Sequence, residues 1–309
     1  MDRFEAMRTL VAAVDGGSLS AASRALNAPL PTVSRRVSDL ETLLGAQLVI
    51  RTSRKLLLTE TGVVYVASAR RVLEELAEAE RAASGEYRAP RGELLITAPV
   101  HFGKLHVAPI VHGFLAAYPE VTVRLFLSDS VIDIAESHVD VAVRIGKLPD
   151  SSLVARRVGE VRWITCASPD YLDRRGVPAL PADLANHACI AFEGLELWRE
   201  WSFAGPRGQQ TVHIRPTYSA NTADAVIAAA AAGVGVAYVM TYQAAEGVHR
   251  GEIQQILTEW ALSASPVQIV HAARQHQPLK LRAFLDFVAP RLQQRLRSIG
   301  EAFGAGRGA

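Results

Sequence analysis

The chain has 309 residues, 49% of them hydrophobic, a formal net charge of +2 and two cysteines. That length suggests about two domains with ample apolar material for a core, and a near-neutral total charge says nothing about nucleic acid. Cys166 and Cys189 lie far from any metal or redox spacing, and the longest apolar run, Ala225 to Met240, is rich in alanine and glycine and too short to span a bilayer. Met1, Asp2 and Arg3 lead directly into a helical pattern with no signal peptide, so buried reduced thiols, a cytoplasmic location and no membrane partner are expected.

The first predicted helix carries Phe4, Met7, Leu10, Val11 and Val14 at helical spacing and ends at Gly16 and Gly17. A short helix from Ser18 to Leu26, a break over Asn27 to Pro31 and a helix from Thr32 to Leu44 follow. In the last of these, Val33, Val37, Leu40 and Leu44 recur at spacings of four, three and four, which at about 3.6 residues per turn forms one buried stripe. Thr32, Ser34, Arg35, Arg36 and Ser38 are left facing outward, a set able to hydrogen-bond base edges and phosphates in a major groove. Two amphipathic helices whose charges meet only water would share this pattern.

The stretches Ala46 to Arg51 and Arg54 to Leu58, joined by Thr52 and Ser53, read as a hairpin wing. Arg51, Arg54 and Lys55 at its tip would lie over the sugar-phosphate backbone or the minor groove. Between Arg24 and Leu58 six cations face only Asp39 and Glu41, so positive charge is concentrated where a nucleic-acid interface needs it. From Thr59, an expected N-cap, to Ser84 there is no proline, and Tyr65, Ala69, Val72, Leu76, Ala79 and Ala83 repeat as a heptad stripe. The same helix of a second subunit would cover that stripe; a helix lying on its own chain's larger domain is the alternative. Pairing would let two recognition helices read a palindrome.

Composition changes over Ser84 to Gly92, where a domain boundary is placed. Beyond it strands and helices alternate: Glu93 to Thr97, a helix from Val107 to Tyr118, Val121 to Leu127, a helix near Val131 to Glu136, then Val139 to Val143. A second unit runs through Arg162 to Ser168, Ala188 to Phe192, Thr211 to Arg215, a helix from Thr222 to Ala232 and Gly235 to Val239. A return strand from Val267 to Ala272 and a helix from Leu279 to Arg297 close the first unit, and parallel α/β is expected. Gly233 and Gly235 follow a helix instead of opening one and are assigned to tight packing.

Residues 1 to 88 resemble the amino-terminal part of the LysR-type transcriptional regulators. The resemblance rests on Ser18 with Ala21, Ala22 and Leu26; on Val33, Ser34 and Val37; on Leu40 and Glu41 with Leu44 and Gly45; on Leu48 with Arg51 and Arg54; and on Leu58 and Thr59 with Gly62. Pro29 and Leu30 stand where the family often has Ser-Gln, and Val49 replaces the usual wing Phe, so the operator does not carry over from better-known relatives. Gly92, Phe102, Gly103, Pro109, Phe114, Tyr118, Pro119, Asp140, Arg144, Gly146 and the Gly233-x-Gly235-x-Ala237 stretch extend the resemblance to about residue 295.

The resemblance implies an α/β chain: a winged helix-turn-helix over 1–59, a linker and dimerisation helix over 60–88, and a two-lobed, periplasmic-binding-protein-like effector domain over 92–297. Lobe 1 would take about 92–161 and 267–297, lobe 2 about 162–266, and residues 298–309 would form a flexible tail. Ser18 joins the DNA-binding set with the recognition-helix and wing residues. The family's effector contacts fall on Pro99, Val100, His101, Ser128, Asp129, Arg144, Ile145, Gly146, Phe192, Asn221 and Met240. The expected partners are double-stranded promoter DNA, a small-molecule effector and further copies of the chain, as a homodimer that the family extends to a homotetramer.

Helix amino termini at Pro99 to Phe102 and at Asn221 to Thr222, with Arg144 and His101 nearby, favour an organic anion as effector. Arg144 pairing with Asp129 or Asp140, and a merely structural His101, are the competing readings. No cofactor is expected, and the nucleophile-elbow, zinc, Walker and dinucleotide motifs are absent. The chain therefore reads as a ligand-responsive regulator and not an enzyme. The other reading is an α/β binding or catalytic domain with a helical dimerisation appendage that does not touch DNA.

Overall fold

The computed structural model describes residues 1–51, 56–83, 89–130, 139–148, 153–193, 199–206, 208–273 and 277–304. The chain divides into two compact units, Met1–Gly92 and Glu93–Ala309. The wing tip and the helix expected near Val131 to Glu136 fall outside the described residues.

In the first unit α1 (Arg3–Asp15) starts at Asp2, whose carboxylate accepts from the Phe4 and Glu5 amides. It buries Ala6, Thr9, Leu10 and Ala13. The expected inward stripe is thus shifted: Leu10 is buried, Met7, Val11 and Val14 are half-covered, and Phe4 is 43% exposed. Small Ala6 and Ala13 lie where neighbouring helices approach, and Thr9 tolerates burial because its hydroxyl donates to the Glu5 carbonyl at 2.6 Å. The short α2 (Leu19–Ala25) is capped by Ser18, whose Oγ accepts from the Ala21 amide at 3.1 Å. Helix α3 (Leu30–Leu44) starts two residues earlier than Thr32 would suggest, and it buries Val33, Val37 and Leu40. Leu44, expected on that stripe, is exposed at the last turn.

Strands β1 (Val49–Arg51) and β2 (Leu56–Leu58) pair antiparallel as the wing stem. Glu41 joins α3 to it, its carboxylate accepting from the Leu48 and Val49 amides at 2.8 and 3.1 Å. Thr59 Oγ1 caps α4 (Glu60–Ala83) by accepting from the Gly62 amide at 2.9 Å. At Gly62 a Cβ would stand 2.0 Å from the Leu48 carbonyl oxygen, so only glycine lets the long helix leave the wing at this point.

The second unit holds two five-stranded sheets among its described residues. Lobe 1 orders β4 (Val121–Leu127), β3 (Gly92–Ala98), β5 (Val141–Ile145), β14 (Ser265–Ala272) and β6 (Leu153–Val161). Lobe 2 orders β11 (Pro216–Ala220), β8 (Cys189–Phe192), β12 (Val236–Met240), β7 (Trp163–Ala167) and β13 (Gln254–Ile256). A hairpin of β9 (Glu200–Gly205) and β10 (Gly208–His213) forms a separate two-stranded sheet whose Trp201 and Phe203 pack into the lobe 2 core. The sheets are mixed, which corrects the all-parallel expectation. Strand β14 runs antiparallel to β5 and β6, and β7 antiparallel to β12 and β13. The cause is the double crossing between lobes: β6 leads out into β7 and β14 leads back beside β6, so outgoing and returning strands oppose each other.

Helices α5 (Val100–Phe102), a π turn over Gly103–Val107 and α6 (Ala108–Ala117) follow β3 in one run. Lobe 2 carries α7 (Pro169–Arg175), α8 (Ala223–Ala231) and α9 (Thr241–His249). The last helix, α10 (Leu279–Gly304), continues past Arg297 into the residues expected to be tail, because Phe303 packs on the lobe 2 core. Earlier turns of α10 place Phe284, Val288, Leu292 and Leu296 in the lobe 1 core. Gly235 does serve close packing: a Cβ there would lie 2.3 Å from the Ala188 carbonyl oxygen.

Candidate nucleic-acid interface and effector cleft

Opposite the buried stripe of α3, Pro31, Arg35, Ser38 and Thr42 follow one another at spacings of four, three and four, and all are exposed. Arg35 and Ser38 therefore stand on the outer face as expected, with Thr32 and Ser34 half-buried on its shoulders. Arg36 is turned toward α1, where its Nη1 lies 3.1 Å from Glu5 Oε2. Leu30, in the first turn, is 43% exposed. Ser18 is committed to capping α2. Arg51 closes the wing stem opposite Leu56; its side chain, and Arg54 and Lys55, lie outside the described residues. The structural duties of Glu5 and Glu41 escaped sequence reasoning, since each depends on a partner from another element.

Along α4, Val66 and Ala69 turn toward their own unit and are buried. Tyr65 packs on the same core, and the burial that covers it raises its hydroxyl pKa against a smaller opposing influence from Arg3. Asp15 pairs with Arg70 and ties α1 to α4. Of the heptad stripe, Ala69 is thus already covered, Val72 is 37% exposed, Leu76 is half-buried and Ala79 exposed. The Ala83 side chain lies outside the described residues.

In the second unit every expected effector residue sits at or just beyond the carboxyl end of a strand. Pro99, Val100 and His101 follow β3; Ser128 and Asp129 follow β4; Arg144 and Ile145 end β5 before Gly146. Phe192 ends β8, Asn221 follows β11 and Met240 ends β12. The Val100 amide donates to Asp129 Oδ1 at 3.0 Å, so that helix end already holds a carboxylate of the chain itself. Ser128 Oγ accepts from the Ser130 amide, and Arg144 Nη1 reaches the Ser130 carbonyl at 3.5 Å. Gly146 adopts φ +104° and accepts from Gln268 Nε2 at 3.1 Å. Phe192 packs on the lobe 2 core, whereas Met240 packs on that of lobe 1.

The lobes meet at Asp224, in the first turn of α8. Its two oxygens lie 3.4 Å from His101 Nδ1 and 3.2 Å from Lys104 Nζ. Burial lowers the His101 pKa, and Asp224 partly offsets this. Lys104 and Asp224 were not singled out from the sequence; the signal was a Lys three residues after His101 and an acid just after Asn221 and Thr222. Asp140 accepts from the Leu95 amide at 3.0 Å. Cys166 and Cys189 are buried in β7 and β8, and burial pushes both thiols up to about 12. Among the described residues no His, Cys, Asp and Glu cluster could hold a metal ion, and no helix is long and apolar enough to cross a membrane.

Residues 4–63 match the model of the bacterial regulatory helix-turn-helix protein, lysR family, and residues 88–293 match the LysR substrate binding domain. The chain belongs to the LysR family. This LysR-type regulator is 35% identical over 286 residues to an HTH-type transcriptional regulator of Xanthomonas campestris pv. campestris, covering 91% of this chain and 83% of that one. It is 33% identical to an HTH-type transcriptional repressor of Pseudomonas aeruginosa, covering 93% and 92%. The solved structure of CrgA, a LysR-type regulator from Neisseria meningitidis, is similar with a TM-score of 0.61 and 31% identity over 93% of this chain and 98% of that one. This LysR-type chain is accordingly a transcriptional regulator with a helix-turn-helix for DNA and a domain for a small-molecule effector, and it is not an enzyme.

Proposed function

We propose that α3 enters the major groove with Arg35 and Ser38 toward the base edges, flanked by Thr32 and Ser34, while Arg51, Arg54 and Lys55 of the wing follow the phosphates. Arg36 acts through Glu5 to hold α3 on α1, and Ser18 contributes by seating α2. The observation that carries this reading is the outward line of Pro31, Arg35, Ser38 and Thr42 opposite the buried stripe. Arg35→Ala is expected to cost about 1–3 kcal/mol of affinity for DNA selected from random sequence by the wild-type chain. Unchanged retention of that DNA by Arg35→Ala at physiological salt would remove the main support.

The working unit is a homodimer joined through the Val72, Leu76 and Ala79 side of α4, doubled into a homotetramer that contacts two separated sites. The effector is a small organic anion held between the lobes by Arg144, His101 and Lys104, with Pro99, Val100, Ser128, Asp129, Ile145, Gly146, Phe192, Asn221 and Met240 around it. Its carboxylate would compete with Asp224 for His101 and Lys104, which couples binding to the contact between lobes. A thermal-shift screen in which organic acids raise the melting temperature, and do so less in Arg144→Ala, supports this. Stabilisation by neutral compounds alone would refute it.

A further inference from the structure

Helices α6 and α10 flank a groove of about 530 Å3 in lobe 1 that lies outside the set of cleft residues described above. Ile110, Phe287 and Ile299 supply apolar walls, and Arg291 and Arg295, one turn apart on α10, line the same space. No Asp or Glu lines it, and neither arginine pairs with a carboxylate among the described residues. Arg291 instead lies over the Phe287 ring, 3.5 Å from its centroid, and donates to the Phe287 carbonyl at 2.8 Å. His106 also lines the groove. It is 8% exposed, packed between the Phe102 and Tyr242 rings at 4.9 and 5.7 Å, and neither ring nitrogen meets a partner. A buried imidazole with two unanswered nitrogens is costly to a fold unless something answers it.

A third feature concerns Gly113, which sits inside α6 where alanine favours a helix. Crowding does not explain it, because a Cβ there would meet only the Phe287 ring, at 3.7 Å. A side chain at that position would occupy the groove.

We propose that this groove is a second small-molecule site, distinct from the inter-lobe cleft, for an amphipathic monocarboxylate. The carboxylate pairs with Arg291 and Arg295, the apolar body lies against Ile110, Phe287 and Ile299, and His106 supplies a polar contact beside them. Occupancy bears on α10, which places Leu292 and Leu296 in the lobe 1 core and Phe303 in that of lobe 2, so the site can bias the relation between the lobes.

Octanoate titrated calorimetrically into the full chain at pH 7.5 is the test, with octan-1-ol, octylammonium and acetate as controls. Saturable octanoate binding is expected, at least about tenfold tighter than any control. The double substitution Arg291→Ala with Arg295→Ala, at exposed positions, is expected to weaken it at least about tenfold, and Gly113→Leu to block it. Arg144→Ala in the cleft leaves it within about twofold. Absence of saturable binding, equal binding of octan-1-ol, or binding that survives both groove variants overturns the proposal. So does a Gly113→Leu chain whose only change is a lower oligomeric mass, which would make the groove a contact between copies.

Discussion

At Gly62, in the first turn of α4, and Gly113, inside α6, the same residue type answers to different causes, and substitution separates them. Gly62→Ala drives a methyl into the Leu48 carbonyl, 2.0 Å from the ideal Cβ position, and one of the two backbones must move. A loss of about 1–3 kcal/mol in urea unfolding is expected, whereas Gly113→Ala is neutral or stabilising by up to about 1 kcal/mol. Equal behaviour of the two variants would show that the wing-to-helix joint is not tight.

His106 gives the fold a pH dependence. Burial, with Arg295 and His101 adding like charge, holds its pKa down to about 4 from an ordinary 6.5. The unfolded chain therefore binds this proton at a higher pH than the fold does. Stability from this group is complete above about 6.5, falls as pH drops through the window, and is lost below about 4, a loss of about 3 kcal/mol when complete. His106→Phe is expected to flatten the dependence of the melting temperature on pH between 6.5 and 4. An unchanged slope would mean that the imidazole does not titrate in this range.

At the scale of elements, periodicity located the recognition helix well because its stripe is made of branched aliphatics that have no other use. Val33, Val37 and Leu40 are buried as the spacing requires. The same reasoning failed for α1, where close approach favours Ala6 and Ala13 over the bulkier Phe4 and Met7. It also failed to separate Arg35 from Arg36, because the fate of Arg36 is decided by Glu5 on another helix. On α4 the heptad conflates two faces: Ala69 serves its own unit while Val72 remains exposed. Val72→Glu should consequently lower the oligomeric mass in sedimentation, because it places a charge in the proposed subunit contact and touches little of the fold. A wild-type mass for this variant would move the contact elsewhere.

At the scale of the molecule, the two-lobed plan was legible because its strands alternate with helices and end in the expected residues. The crossing strands were not, since β6 is largely exposed, has no regular inward and outward alternation, and is held by its ladder with β14. The residues expected around the cleft do lie at or just beyond strand ends, but the side chains that pair with them were not foreseen. Asp129 on the Val100 amide and Asp224 beside His101 and Lys104 come from distant segments, and no local spacing announces them.

If the outer face of α3 reads a duplex from the major groove, dimethyl sulfate protection reports it, since guanine N7 is exposed only there. On DNA selected by the wild-type chain, the expected result is protection of guanine N7 in paired half-sites, lost in Arg35→Ala. Tight binding with every guanine N7 still reactive, in the wild-type chain and the variant alike, would contradict it.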